Sequence, residues 1–172
     1  MTMNSFIALD VKKLNEESPF VMLGDRWALL TAGTVKDWNT MTVSWGQMGV
    51  LWNMNVATVY VRPQRHTLKY MDANDYFTLS FFDKEYRPAL AFCGKYSGRD
   101  VDKAKETGLT PIFADGSVAF SQAETILVCR KLYRQQLTPH CFLDTDVEKR
   151  NYKGDHHFAY TGQIVAAYRK VR

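Results

Sequence analysis

The chain has 172 residues, 46% of them hydrophobic and 23% charged, and a globular chain of that length buries roughly 70% of the surface its unfolded form exposes, so its core needs neither metal nor disulfide. Three cysteines without C-x-x-C spacing, Cys93, Cys129 and Cys141, exclude a disulfide scaffold and a closed zinc site and suit a reducing cytoplasm. Residues 1–10 lack a signal-peptide pattern, no apolar run approaches the roughly 18 residues of a membrane span, and a formal charge of +4 spread in short groups with acids close by suits a small anion better than nucleic acid.

No repeat, low-complexity tract or linker divides the chain, so one domain over residues 1–172 is predicted. Runs rich in Val, Thr, Tyr, Phe and Trp predict strands at 27–33, 41–45, 56–62, 76–82, 117–120, 125–137 and 158–171. Alternation is clearest where Met41, Val43 and Trp45 interleave with Thr42, Ser44 and Gly46. Helical signals fall between the strands. One follows Arg62-Pro63 over 66–73, a second covers 83–93 and is interrupted by Pro88, and a third opens on a Ser97-x-x-Asp100 capping pattern and stops at Thr107-Gly108. Many strands with three short inserted helices predict a mainly β barrel or sandwich, since strand and helix do not alternate regularly.

Four constellations could carry chemistry. Asn39, Thr40, Thr42 and Ser44, within Asn39-Thr40-Met41-Thr42-Val43-Ser44-Trp45-Gly46, offer amide and hydroxyl groups to the edge of a flat heteroaromatic ligand; the alternative is an ordinary strand with Ser44 facing water. Arg62, Arg65 and Thr67 stand where a strand ends and a helix starts, a place for phosphate; the alternative is a solvated first turn whose arginines pair with Asp72 or Asp75. Ser97, Arg99 and Lys103 surround another helix start, which alone reads as a capped surface helix. Asp155-His156-His157-Phe158 could supply a proton donor, whereas no patterned second His pair supports a metal. Cys93 reads as a buried small residue, and Lys131 as a strand residue facing water. There is no Gly-x-Gly-x-x-Gly, Walker loop or Gly-x-Ser-x-Gly, so no Rossmann domain would hold a nicotinamide.

Taken in order, Asn39 to Trp45, Val59-Tyr60-Val61-Arg62-Pro63-Gln64-Arg65-His66-Thr67, Asp75-Tyr76-Phe77-Thr78-Leu79-Ser80-Phe81-Phe82 and Ser97-Gly98-Arg99-Asp100-Val101-Asp102-Lys103 resemble the flavin reductase-like proteins, including the flavoredoxins, over about residues 20 to 165. The resemblance implies a mainly β, FMN-binding split barrel with a few short helices, a homodimer binding FMN in a cleft at the subunit interface. It implies Asn39, Thr40, Met41, Thr42, Val43, Ser44 and Trp45 beside the flavin ring, Arg62, Arg65 and Thr67 near its phosphate, and Ser97 and Lys103 near the cofactor. The implied activity is a cytoplasmic oxidoreductase taking hydride from NADH or NADPH and passing electrons to free flavin, a ferric chelate or a protein acceptor. His157 is the one candidate proton donor near the ring. Two other readings stay open: a flavoredoxin-type electron carrier without NAD(P)H activity, and a nucleic-acid-binding barrel, against which the dispersed charge argues. The sequence departs from the family pattern at Gln163, where many relatives carry Glu, and at Asn53-Met54-Asn55, which replaces a proline-containing turn and should loosen that loop.

Overall fold

The computed structural model describes residue 3, residues 5–12 and residues 18–171; residues 1, 2 and 4 of the N-terminal stretch lie outside it. Strands β1 (Phe6–Ala8), β2 (Ala28–Gly33), β3 (Trp38–Val43), β4 (Gly46–Leu51), β5 (Met54–Val61), β6 (Tyr76–Phe81), β9 (Thr125–Gln136) and β10 (Phe158–Lys170) form one eight-stranded sheet, with β7 (Pro111–Ala114) and β8 (Ser117–Phe120) as a separate hairpin. Helices α1 (Thr67–Ala73), α2 (Arg87–Lys95), α3 (Lys103–Thr107) and α4 (Thr145–Asn151) are inserted between strands, and a π-helical turn, Phe20–Arg26, precedes β2. The strand order is β3-β2-β6-β9-β10-β5-β4, with every pairing antiparallel. β10 is long enough to serve two partners on one edge, β5 along its first half and β1 near its end.

Period-two alternation sorts the side chains into two cores. One face of the curled sheet buries Ala28, Leu30 and Ala32 of β2 with Phe77, Leu79 and Phe81 of β6, Val59 and Val61 of β5, and Tyr160 of β10. The residues between them, Leu29, Ile126 and Val128, face the other way and pack under Leu90 and Cys93 of α2 and Phe120 of β8. The first and last strands in the order, β3 and β4, do not pair although only Ser44 and Trp45 separate them in the chain. The barrel is therefore split there, and Trp45, expected to continue the apolar face of Met41 and Val43, instead swings out to 48% exposure.

Several sequence expectations are corrected. β4 was not foreseen, and the 53–55 segment is no loose loop: Trp52 and Asn53 have φ of 52° and 58°, the geometry of a tight two-residue hairpin turn, while Met54 and Asn55 already belong to β5. The third helix begins six residues past Ser97, where the Asp102 carboxylate accepts from the Lys105 amide at 3.1 Å. Lys131 does not stand in water; its ammonium donates to the carbonyls of Met71 and Asp72 at the end of α1. No helix among the described residues is long and apolar enough to cross a membrane.

Candidate functional site

Beside the split, β3, the β5–α1 connection and the α2–α3 loop enclose a cleft of about 350 Å³. It runs into a smaller hollow of about 190 Å³ at Ser44 and Trp45, the two sharing Met41, Arg62 and Arg65. Asn39, Met41, Arg62, Arg65, Thr67, Ser97 and Lys103 line the first; Met41, Thr42, Val43, Ser44, Trp45, Arg62, Arg65 and His157 line the second. Of the predicted site residues only Thr40 stays off both surfaces. Its hydroxyl accepts from Thr31 at 2.9 Å and donates to the Leu30 carbonyl at 3.2 Å, so its contribution is the backbone oxygen that Lys103 holds. Lys95 at the end of α2, with Tyr96 and Gly98 beside Ser97, lines the first surface from within the 95–103 segment although none of the three was given a site role, and Tyr60 faces the second hollow from within the recognised β5 motif.

Four cations line the cleft: Lys95 lies over the Tyr96 ring, Arg62 is neutralised, and Arg65 and Lys103 are not. Arg62 forms an ion pair with Asp155, donates to the Asn151 carbonyl at 2.9 Å and lies over the Tyr152 ring. These are not the partners of the solvated-turn alternative, since Asp72 pairs with Arg134 at 2.9 Å. With the Lys153 amide donating to it and Arg62 beside it, Asp155 is held well below the usual carboxylate range. Arg65 donates to the Gly94 carbonyl at 2.6 Å and has no carboxylate partner among the described residues. Burial, with Arg62 close by, lowers its pKa. Lys103, only 6% exposed, donates to the carbonyls of Thr40 at 2.7 Å and Cys93 at 2.8 Å, leaving one N–H of the ammonium for the cleft. Burial pushes its pKa down to about 8. Two desolvated cations that, among the described residues, are bound only to carbonyl dipoles are an arrangement that an anion relieves.

Asn39 organises the floor. Its Nδ2 donates to the buried Thr67 hydroxyl at 2.8 Å, and the Gly98 backbone packs so near that a Cβ there would lie 1.9 Å from the Asn39 Oδ1. The α2–α3 loop can approach β3 only because residue 98 is glycine. At the other end, Trp45 and Tyr60 lie against His157, with ring centroids 5.3 and 6.3 Å away. Burial and the Arg62 charge push the His157 pKa down to about 4, and its Nδ1 is hydrogen-bonded to the Tyr152 hydroxyl at 3.0 Å. A proton donated from this position would come from a neutral imidazole. At neutral pH this ring is a neutral wall with a single N–H. Cys93, as expected, is buried, and desolvation raises its thiol to about 11, so it is no nucleophile.

Fold and cleft together define a mainly β split barrel with an anion-ready pocket at the split. The chain belongs to the family described as flavin reductase like domain, whose profile matches residues 23–170. No curated protein matches it. Among solved structures, it is similar to a flavoredoxin from Methanosarcina acetivorans (21% identity, 84% of this chain and 68% of that one covered, TM-score 0.65). It is also similar to an FMN-binding protein from Thermus thermophilus with bound 1-cyclohex-2-enone (19%, 83% and 69%, 0.64). A third similar structure is the NADH:FAD oxidoreductase SgcE6 from Streptomyces globisporus C-1027 in complex with NAD and FAD fragments (15%, 83% and 73%, 0.60). At these identities the likeness is one of fold.

Proposed function

We propose that the chain is an FMN-dependent oxidoreductase of the cytoplasm that takes hydride from NADH or NADPH and passes electrons to a small-molecule or protein acceptor. The observation that carries this reading is the pairing of Arg65 and Lys103, two cleft cations without a carboxylate, with an aromatic hollow at Trp45, Tyr60 and His157. A flat phosphorylated ligand satisfies both ends at once. FMN, when bound, supplies reversible hydride exchange. The side chains bind and orient: Arg65 and Lys103 hold the phosphate, Asn39 and Thr67 fix the floor beneath it, and Thr42 and Ser44 face the hollow for the ring edge. Thr42 also donates to the Leu90 carbonyl, which ties this stretch of β3 to α2. His157, neutral, excludes water without adding charge.

The flavin reductase family and the SgcE6-like fold support the reductase reading; the likeness to a flavoredoxin supports an electron carrier as the second reading. Anaerobic mixing of the FMN-loaded protein with NADH and NADPH separates them, because a reductase bleaches its flavin within the mixing experiment and a carrier does not. The visible spectrum of the purified protein and mass spectrometry of the released chromophore test the cofactor; a colourless protein that FMN titration leaves unchanged would remove the proposal. Homodimer formation is part of it. Val50 and Leu51 of the edge strand β4 and Trp52 in the turn after it are exposed, and an apolar edge of this kind invites a second copy. Sedimentation at micromolar concentration should give twice the 19.8 kDa chain mass.

A further inference from the structure

The cleft does not end at Trp45. Beyond Ser44, Trp45 and Tyr60 opens a larger lobe of about 700 Å³, walled by Phe20 and Leu23 of the π-helical turn and by Met48 of β4. It shares those three residues with the aromatic hollow and is continuous with it. Among the described residues its lining holds no Lys, Arg, His, Asp or Glu, whereas the neighbouring cleft presents Arg62, Arg65, Lys95 and Lys103. Three polar groups stand in it, the hydroxyls of Ser44 and Tyr60 and the carboxamide of Gln47, and none of them has a protein hydrogen-bond partner among the described residues. Burial raises the Tyr60 pKa, so its hydroxyl remains a donor through neutral pH.

We infer that this lobe seats an uncharged, flat, carbonyl-bearing electron acceptor of the quinone class, its oxygen hydrogen-bonded by Tyr60 and Ser44, and that it rejects anionic acceptors. The inference rests on the FMN reading above and names its substrate class. An anion entering the lobe loses water and meets no counter-charge, so it binds poorly. A neutral ring system gains apolar burial against Leu23 and Met48 and aromatic contact with Trp45, and its carbonyl satisfies donors that are otherwise left without a protein partner. Ferric chelates and phosphorylated flavins are thereby disfavoured. Reduction of the quinone to its hydroquinone takes two electrons and two protons: one hydride from FMN reduced beforehand by a reduced nicotinamide, and one proton from water.

Calorimetry on the protein saturated with FMN tests this with two probes that share one ring system, 2-(hydroxymethyl)anthraquinone and anthraquinone-2-sulfonate. The neutral probe should bind at least about tenfold more tightly. Gln47→Lys places a cation on an exposed position of the lobe and should narrow or invert that preference while the FMN affinity stays unchanged. Equal affinities, a preference that Gln47→Lys does not alter, or no binding of either probe to a dimer whose second copy covers the lobe would each overturn the inference and leave FMN binding intact. Failure to load FMN at the outset would overturn both readings.

Discussion

Replacing Arg65 by alanine should weaken FMN binding and spare riboflavin. The guanidinium spends one N–H on the Gly94 carbonyl and has no acidic partner, so its remaining donors are available to a phosphate oxygen. Two unit charges about 4 Å apart attract by about 4 kcal/mol at an effective dielectric of about 20. Desolvating the phosphate reduces that to the roughly 1.5 to 3 kcal/mol measured for a hydrogen bond to a charged group, or roughly 10- to 150-fold in affinity for a single bond. Arg130→Ala is the control, since Arg130 is exposed on β9, holds Gln163 at 3.0 Å and lines neither cleft. It removes the same charge, and screening over a Debye length of about 8 Å should keep its effect within about threefold. Titrations of both variants with FMN and with riboflavin at fixed salt, followed by flavin fluorescence, decide the matter. If Arg65→Ala weakens riboflavin as much as FMN, the side chain does not read the phosphate; if Arg130→Ala matches it, bulk charge does the work.

Lys103 predicts a pH dependence. Its ammonium releases its proton near pH 8 in the folded protein instead of near 10.5, so FMN affinity should fall as pH rises from 7.5 to 9.5, and Lys103→Met should abolish the slope. Over the same interval the unfolded chain holds the proton that the folded one has released, so the FMN-free protein should gain stability from this group as pH rises between 8 and 10.5, as read from urea midpoints. His157 works at the acidic side. Its folded pKa of about 4 lies below the ordinary 6.5, so the protein should lose stability as pH falls from 6.5 to 4, and the imidazole proton resonance should titrate near 4; a midpoint near 6.5 would contradict its burial. Gly98→Ala drives a methyl into the Asn39 carboxamide, breaks the bond to Thr67, and should cost about 1 to 3 kcal/mol of stability together with FMN affinity.

What the sequence made legible follows from physical range. The strands that read directly, such as β6 and β10, bury residues on both or alternate faces and are rich in aromatic and β-branched side chains, so composition and periodicity both speak. β4 has two glycines in six residues and an almost wholly exposed surface, and β7 opens on proline; neither leaves a periodic trace. α4 did carry a local signal, Asp144 accepting from the amides of Asp146 and Val147, acids in the first turn and Lys149 and Arg150 in the last, and it could have been read. In the site, residue types were legible and their allegiances were not. Nothing local distinguishes Arg62, which binds an aspartate 93 positions away, from Arg65, which finds only a carbonyl. Likewise Thr40 and Thr42 share one side of β3 and differ only in their neighbours, Thr31 and Leu30 for the first and Leu90 of α2 for the second, and Lys103 shows its burial only once α3 has docked against β3 and α2.

The place of β10 in the strand order has a consequence for assembly. β5 and β9 are joined only through β10, and the Arg62 wall is fastened by Asp155, three residues before that strand begins. A nascent chain that has emerged only through β9 already contains the bonds that tie Asn39 to Thr67, Arg65 to Gly94 and Lys103 to Thr40, but it lacks Asp155 and His157. The wall made by Arg62 and His157 is set late, by a β5–β10 pairing that closes a loop of roughly a hundred residues, and such pairings form slowly. The cation end of the cleft is thus the product of contacts within residues 39–103, whereas its aromatic end is completed only when the last strand docks.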